Sequence, residues 1–145
     1  MLSLLTLLTL SPPAAAAEDV CAPDGGVEVV QLGFGFTNVW ALLGESGIVL
    51  IDAHNPGEQD KVLRLMGRAG IIPGEVTLIV LTHGHGDHAG SAKALREELD
   101  VPVAIGAGDV PAVEAGVPLI PVPYTDWRGR ALIPFLKHEY DAFSP

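Results

Sequence analysis

A chain of 145 residues that is 48% hydrophobic has enough apolar surface for one packed core, which argues against a disordered polypeptide. Eighteen acidic residues against eight basic ones give a formal charge of −10, the wrong sign for a partner held through a phosphate backbone, so no nucleic-acid ligand is expected. A single cysteine, Cys21, closes no internal disulfide and says nothing of the redox compartment, and Glu18-Asp19 just before it argue against a lipid anchor there.

Residues 1–17 carry no charged side chain. The apolar run Leu2 to Leu10, then Ser11-Pro12-Pro13 and Ala14 to Ala17, reads as a secretory signal peptide cleaved near Ala16 or Ala17, although no Lys or Arg precedes the run. The run is too short to span a bilayer, so no stable membrane anchor is expected and the mature chain would be secreted or periplasmic. Residues 18–26 form a connector, and residues 27–145 form the folded domain.

Val27–Leu32, Val39–Leu43 and Ile48–Asp52 read as three strands separated by the turns 33–38 and 44–47. Their nearly continuous apolar character predicts a sheet covered on both faces, or on one face and one edge. Gly33 and Gly35 lack the third glycine and helix start of a nucleotide loop. Asn55-Pro56-Gly57-Glu58 predicts a helix start, with Asn55 as cap. Val62, Leu65, Met66 and Ala69 form the inward stripe of that helix, Met66 being core filler, and Gly70 ends it. Pro73-Gly74 leads into a buried strand, Val76–Leu81. Ser91–Leu99 predicts a second helix with Ala92, Leu95 and Leu99 inward, Val101–Ile105 an edge strand, Asp109–Ala115 a short helix stopped by Gly116, and Leu119–Val122 a weak extended segment. The order is α/β, a mixed sheet with flanking helices.

The chemistry gathers at Thr82-His83-Gly84-His85-Gly86-Asp87-His88-Ala89-Gly90, where four potential metal ligands fall within six residues at the end of the buried strand. His83 and His85 are two apart, on one side of an extended segment, and suit one ion. Asp87 and His88 are neighbours, so they point elsewhere and suit a second ion.

The run His83-x-His85-x-Asp87-His88, strand before and helix after, resembles the signature of the metallo-β-lactamase superfamily. The resemblance implies an αββα sandwich of two similar halves, of which this sequence supplies the N-terminal half. It implies two Zn2+ ions, His83 and His85 on the first and Asp87 with His88 on the second, a bound hydroxide attacking the ester, thioester or amide carbonyl of a small-molecule substrate, and Asp87 as the catalytic carboxylate that orients the nucleophile and shuttles its proton. It further implies a supporting role for Asp52 near the metal loop, the alternative being a plain strand-end carboxylate. Two other readings stay open: an iron-dependent redox member of the same fold, and a metal-binding half-domain without activity.

The family's second-half ligands have no match here. His138, the only histidine after His88, sits in the charged, helical run Leu136–Tyr140 and reads as solvated. His54 is placed to line the mouth rather than to ligate. Tyr124, Trp127 and Arg128 read as an ordinary loop more readily than as a substrate cover. The expectation is an N-terminal fragment that pairs with a missing C-terminal half, since a sheet cut at half its width leaves an apolar face or edge uncovered.

Overall fold

Strands β1 (Glu28–Leu32), β2 (Val39–Gly44) and β3 (Gly47–Ile51) form an antiparallel meander. The structure is a computed structural model describing residues 26–33, 35–117 and 139–145. The expected signal peptide, Cys21, Leu119–Val122, Tyr124, Trp127, Arg128 and His138 lie outside the described residues. Helix α1 (Gln59–Arg68) follows β3, then a 3-10 turn at Pro73–Glu75 and strand β4 (Val76–Leu81). After β4 come a single helical turn α2 (Gly86–Ala89), helix α3 (Ala92–Leu99), strand β5 (Val103–Ile105) and helix α4 (Val110–Ala115). The sheet order is β1-β2-β3-β4-β5, with β3, β4 and β5 parallel, so the sheet is mixed, as the alternation of strands and helices predicts.

Register decides which side chains meet the helices. Val30, Ala41, Leu50, Ile79 and Val103 stand in one row across all five strands, and successive residues of a strand face opposite ways. On that side Ala41, Leu50 and Ile79 are sealed from water, with α1 packed on β1 and α3 on β4. Full burial of side chains the size of Leu50 and Ile79 contributes about 1.5–3 kcal/mol each. The opposite side holds Leu42, Val49, Ile51, Leu78 and Val80, all half-buried, together with Val29 at 50% and Trp40 at 38% exposure. Among the described residues, then, the helices cover one face.

Several boundaries differ from the sequence expectation for identifiable reasons. Asn55 does not cap α1, which starts at Gln59, because the Asn55 side chain is drawn instead to the Glu58 carboxylate and its carbonyl accepts from the Ser91 hydroxyl. That same hydroxyl accepts the Glu58 backbone N–H at 2.9 Å, so the amide at the helix entrance is satisfied from a residue 33 positions away. Ala69 is exposed rather than inward, being the last residue before the turn out of the helix. There Gly70 (φ 75) closes a Schellman turn, with Ile71 N–H on the Met66 carbonyl at 2.9 Å and the Ile71 side chain buried. Strand β5 begins at Val103, with Pro102 exposed before it at the sheet edge.

Candidate metal centre

Strands β3 and β4 deliver their last residues to the same edge because they run parallel. Beyond Ile51, Asp52 (φ 65) and His54 (φ 66) take the left-handed conformation on either side of Ala53, at a cost of about 1–2 kcal/mol each for non-glycine residues. The bonds made in return explain the geometry. Asp52 N–H donates to the Val80 carbonyl at 2.8 Å and Ala53 N–H to the His88 carbonyl at 2.7 Å. The Asp52 carboxylate, itself buried, accepts Thr82 N–H at 2.8 Å, the Thr82 hydroxyl at 2.9 Å and His88 Nδ1 at 2.8 Å. One carboxylate thus ties the end of β3 to both ends of the histidine-bearing loop.

Within the loop, His85 is extended (φ −74, ψ 146) and its carbonyl accepts the N–H groups of His88 at 3.0 Å and Ala89 at 2.8 Å, opening α2. This turn folds Asp87 and His88 back toward the first two histidines, where an extended reading sends them elsewhere. His83, His85 and Asp87, all half-buried, each offer a donor atom within 4.8 Å of the others. The His83 ring lies 4.7 Å from that of His85 and 4.1 Å from that of His88, centroid to centroid. Asp87 Oδ2 is 3.6 Å from His88 Nε2, so the same carboxylate that approaches His83 and His85 also faces the ring of His88.

Donor counting fixes two tautomers. A carboxylate only accepts, so His88 Nδ1 carries a proton toward Asp52, and in the neutral ring Nε2 is then the nitrogen with the lone pair. Thr82 has one hydroxyl hydrogen; donated to Asp52, it leaves the oxygen to accept from His83 Nδ1 at 3.0 Å, and again Nε2 is left with the lone pair. Asp52 therefore orients His88 directly and His83 through Thr82. The His83 pKa is lowered, first by burial and then by the neighbouring His88 and His85, against the pull of Asp52 and Asp87, which favours the neutral ring a cation needs. The chemistry of the set, imidazoles plus a carboxylate with oriented rings, fits a borderline divalent ion.

His54 takes other hydrogen-bond partners, although Asp87 and His88 lie near enough to act on its charge. It is buried, its Nε2 faces the Lys61 ammonium at 3.0 Å, and its Nδ1 faces the Asn55 backbone N–H at 2.9 Å and the Glu58 carboxylate. Both ring nitrogens are engaged away from the loop. Burial is the main cause that lowers its pKa, against Glu58, which raises it. The loop after β3 also meets the motif backbone to backbone: a Cβ on Gly90 would collide with the Gly86 carbonyl and the Pro56 nitrogen. Sequence reading singled out Asp52 but gave no role to Thr82, Asn55 or Ser91 at the loop. The available signal was a hydroxyl residue placed directly before His83 and another directly after Gly90.

The model of the metallo-beta-lactamase superfamily matches residues 32–142. The rat protein "Metallo-beta-lactamase domain-containing protein 1" is 44% identical over 45 residues, 31% of this chain and 18% of its own length. A hydroxyacylglutathione hydrolase of Xanthomonas axonopodis pv. citri (strain 306) is 36% identical over 59 residues, 41% of this chain and 21% of its own. Among solved structures, the subclass B3 metallo-beta-lactamase BJP-1 of Bradyrhizobium japonicum superposes with a TM-score of 0.58 at 24% identity, covering 61% of this chain and 33% of that one. A B3 enzyme described as having an active-site glutamic acid matches at 0.58 and 27%, covering 61% and 34%. The matched region spans about a fifth of these curated relatives and a third of these structures.

Proposed function

The chain belongs to the metallo-β-lactamase superfamily, and on that premise we propose that it is the metal-gripping half of a zinc-dependent hydrolase acting on an ester, thioester or amide carbonyl. The observation that carries the reading is the approach of His83, His85 and Asp87 donor atoms to within 4.8 Å beside a His88 ring already oriented by Asp52. His83 and His85 would hold one ion through ring nitrogens, and Asp87 with His88 Nε2 a second. Zinc bound there would supply Lewis-acid chemistry for water and for the carbonyl. Asp87, the more exposed of the two carboxylates beside His88, accepts and returns the proton of the attacking water. Asp52 and Thr82 keep the imidazoles in the tautomers that leave Nε2 free.

The remaining donors come from a second half-domain that docks on the uncovered side of the sheet, where Val29, Trp40 and Leu42 lie on one face. The substrate is a small molecule, for which thioester and lactam or lactone carbonyls are the first classes to try. Export is supported by the charge-free apolar run at residues 1–17, and no helix among the described residues is long and apolar enough to cross a membrane.

The test is a calorimetric titration of the 145-residue chain with zinc and with iron, followed by turnover of thioester, lactone and β-lactam probes in the presence of the metal. Zinc should bind in preference to iron, and any zinc-dependent turnover should fall by about 10²–10⁴ in Asp87→Ala. Turnover indifferent to Asp87→Ala would dismiss the scheme.

A further inference from the structure

Tyr140 lies outside the machinery assigned above, yet its hydroxyl donates to the carbonyl of Gly84 at 2.9 Å in a buried bond between residues 56 apart. Gly84 is the residue between His83 and His85, so this carbonyl belongs to the peptide that carries the second imidazole. The tyrosine is itself fixed. It is 8% exposed, its N–H donates to the Gly116 carbonyl at 3.1 Å, and Phe143, also buried, donates its N–H to the Val113 carbonyl at 3.3 Å. The Arg96 guanidinium holds the Ser144 carbonyl. Helix α4 closes on Gly84 from beside it, with the Asp109 Cβ 3.3 Å and a Val113 methyl 3.4 Å from where a side chain would begin. The loop therefore meets fixed groups at Gly84 as well as at Asp52.

We infer that Tyr140 is a positioning residue for the metal centre: its hydroxyl sets the plane of the Gly84–His85 peptide, and with it the angle at which the His83 and His85 imidazoles converge. This rests on the reading of those two histidines as ligands. A buried carbonyl without a donor costs about 1–3 kcal/mol, so the peptide plane has a reason to stay turned toward the phenol. A metal constellation works only when held to about 0.5 Å and 10–20°, a tolerance that one rotating peptide would exceed. Burial, with Asp109 adding to it, raises the phenol pKa, and the proton stays on the oxygen that must donate it.

The variant is Tyr140→Phe, which keeps the ring and removes only the donor. In the 145-residue chain, zinc affinity measured by competition with a chromophoric chelator should weaken about tenfold, and the visible bands of the cobalt-loaded protein should change. Ser144→Ala, which removes an exposed contact with Glu114 on the same segment, should leave both readings at wild-type values. A Tyr140→Phe protein with wild-type affinity and cobalt spectrum overturns the inference while the ligand reading stands. Should that variant fail to fold, the wild-type chain decides by linkage: zinc must slow amide exchange at Tyr140 and Phe143, and exchange indifferent to zinc overturns it. A wild-type chain that takes up no zinc sinks the ligand reading and takes this inference with it.

Discussion

Strands β3 and β4 pair in parallel and end side by side, but they leave the sheet in opposite ways. Beyond β4 the chain keeps to ordinary conformations: His85 is extended and a single helical turn returns Asp87 and His88, with Gly84 and Gly86 between His83, His85 and Asp87. Beyond β3, Asp52 and His54 are left-handed without being glycines. The second arrangement is the costlier, and it persists because the segment from Asp52 to Pro56 is over-determined: Asp52 holds Thr82 and His88, the Ala53 amide holds His88, and Asn55 and Pro56 meet Ser91 and Gly90. The lesson is a division of labour. Strand β4 leads into the groups proposed to face a cation, and β3 spends backbone strain to hold them still.

The comparison breaks most severely at Gly90. Gly90→Ala places a methyl against the Gly86 carbonyl and the Pro56 nitrogen, both main chain, so the two strand ends must part. A loss of about 3 kcal/mol in denaturant unfolding is expected, with zinc affinity falling as well. A stability equal to wild type would mean that the two ends are not in contact.

Asp52→Ala separates the same regions by removing an acceptor instead of adding bulk. It strands the Thr82 amide and frees both the His83 and His88 rings, so we expect about 1–3 kcal/mol of lost stability and zinc affinity weakened about 10- to 100-fold. Affinity unchanged beside a large stability loss would reduce Asp52 to a strut for β3.

The smallest effect is a pH dependence that sharpens the comparison. His54 is held below its ordinary pKa of 6.5 mainly by burial, so the unfolded chain takes up the proton first as pH falls. Metal-free stability is therefore full above about pH 6.5 and declines as pH drops through the lowered folded value. His83 moves in the same direction. His54→Asn keeps a residue tolerant of positive φ and removes one titration, so chelator-treated protein should show a shallower decline on the acid side. An identical decline would place the whole pH effect at the β4 end.

What was legible in the sequence tracks the range of the forces involved. The apolar run Val76–Leu81, the spacing of His83, His85, Asp87 and His88, and the helix-ending roles of Gly70 and Gly116 are local signals, and each element formed where they point. Asn55 misled because its capping pattern is also local, while its side chain and carbonyl are claimed by Glu58 and by Ser91, the latter 36 residues on. The left-handed turns at Asp52 and His54 carry no glycine to announce them. The return of Asp87 toward His83 depended on a helical turn too short to leave a periodic trace. Tyr140 met the loop from across the fold, where no spacing rule reaches.

The Schellman turn at Gly70 lies before β4 begins, whereas the motif comes after β4's last residue, and six residues of strand put about 20 Å between them. At Gly74, beside that turn, an added side chain would meet nothing within 4 Å, whereas Gly70 (φ 75) has to stay glycine. A fluorophore, affinity tag or fused carrier grafted at that far corner would therefore report on, or immobilise, the molecule while leaving the histidine-bearing loop undisturbed.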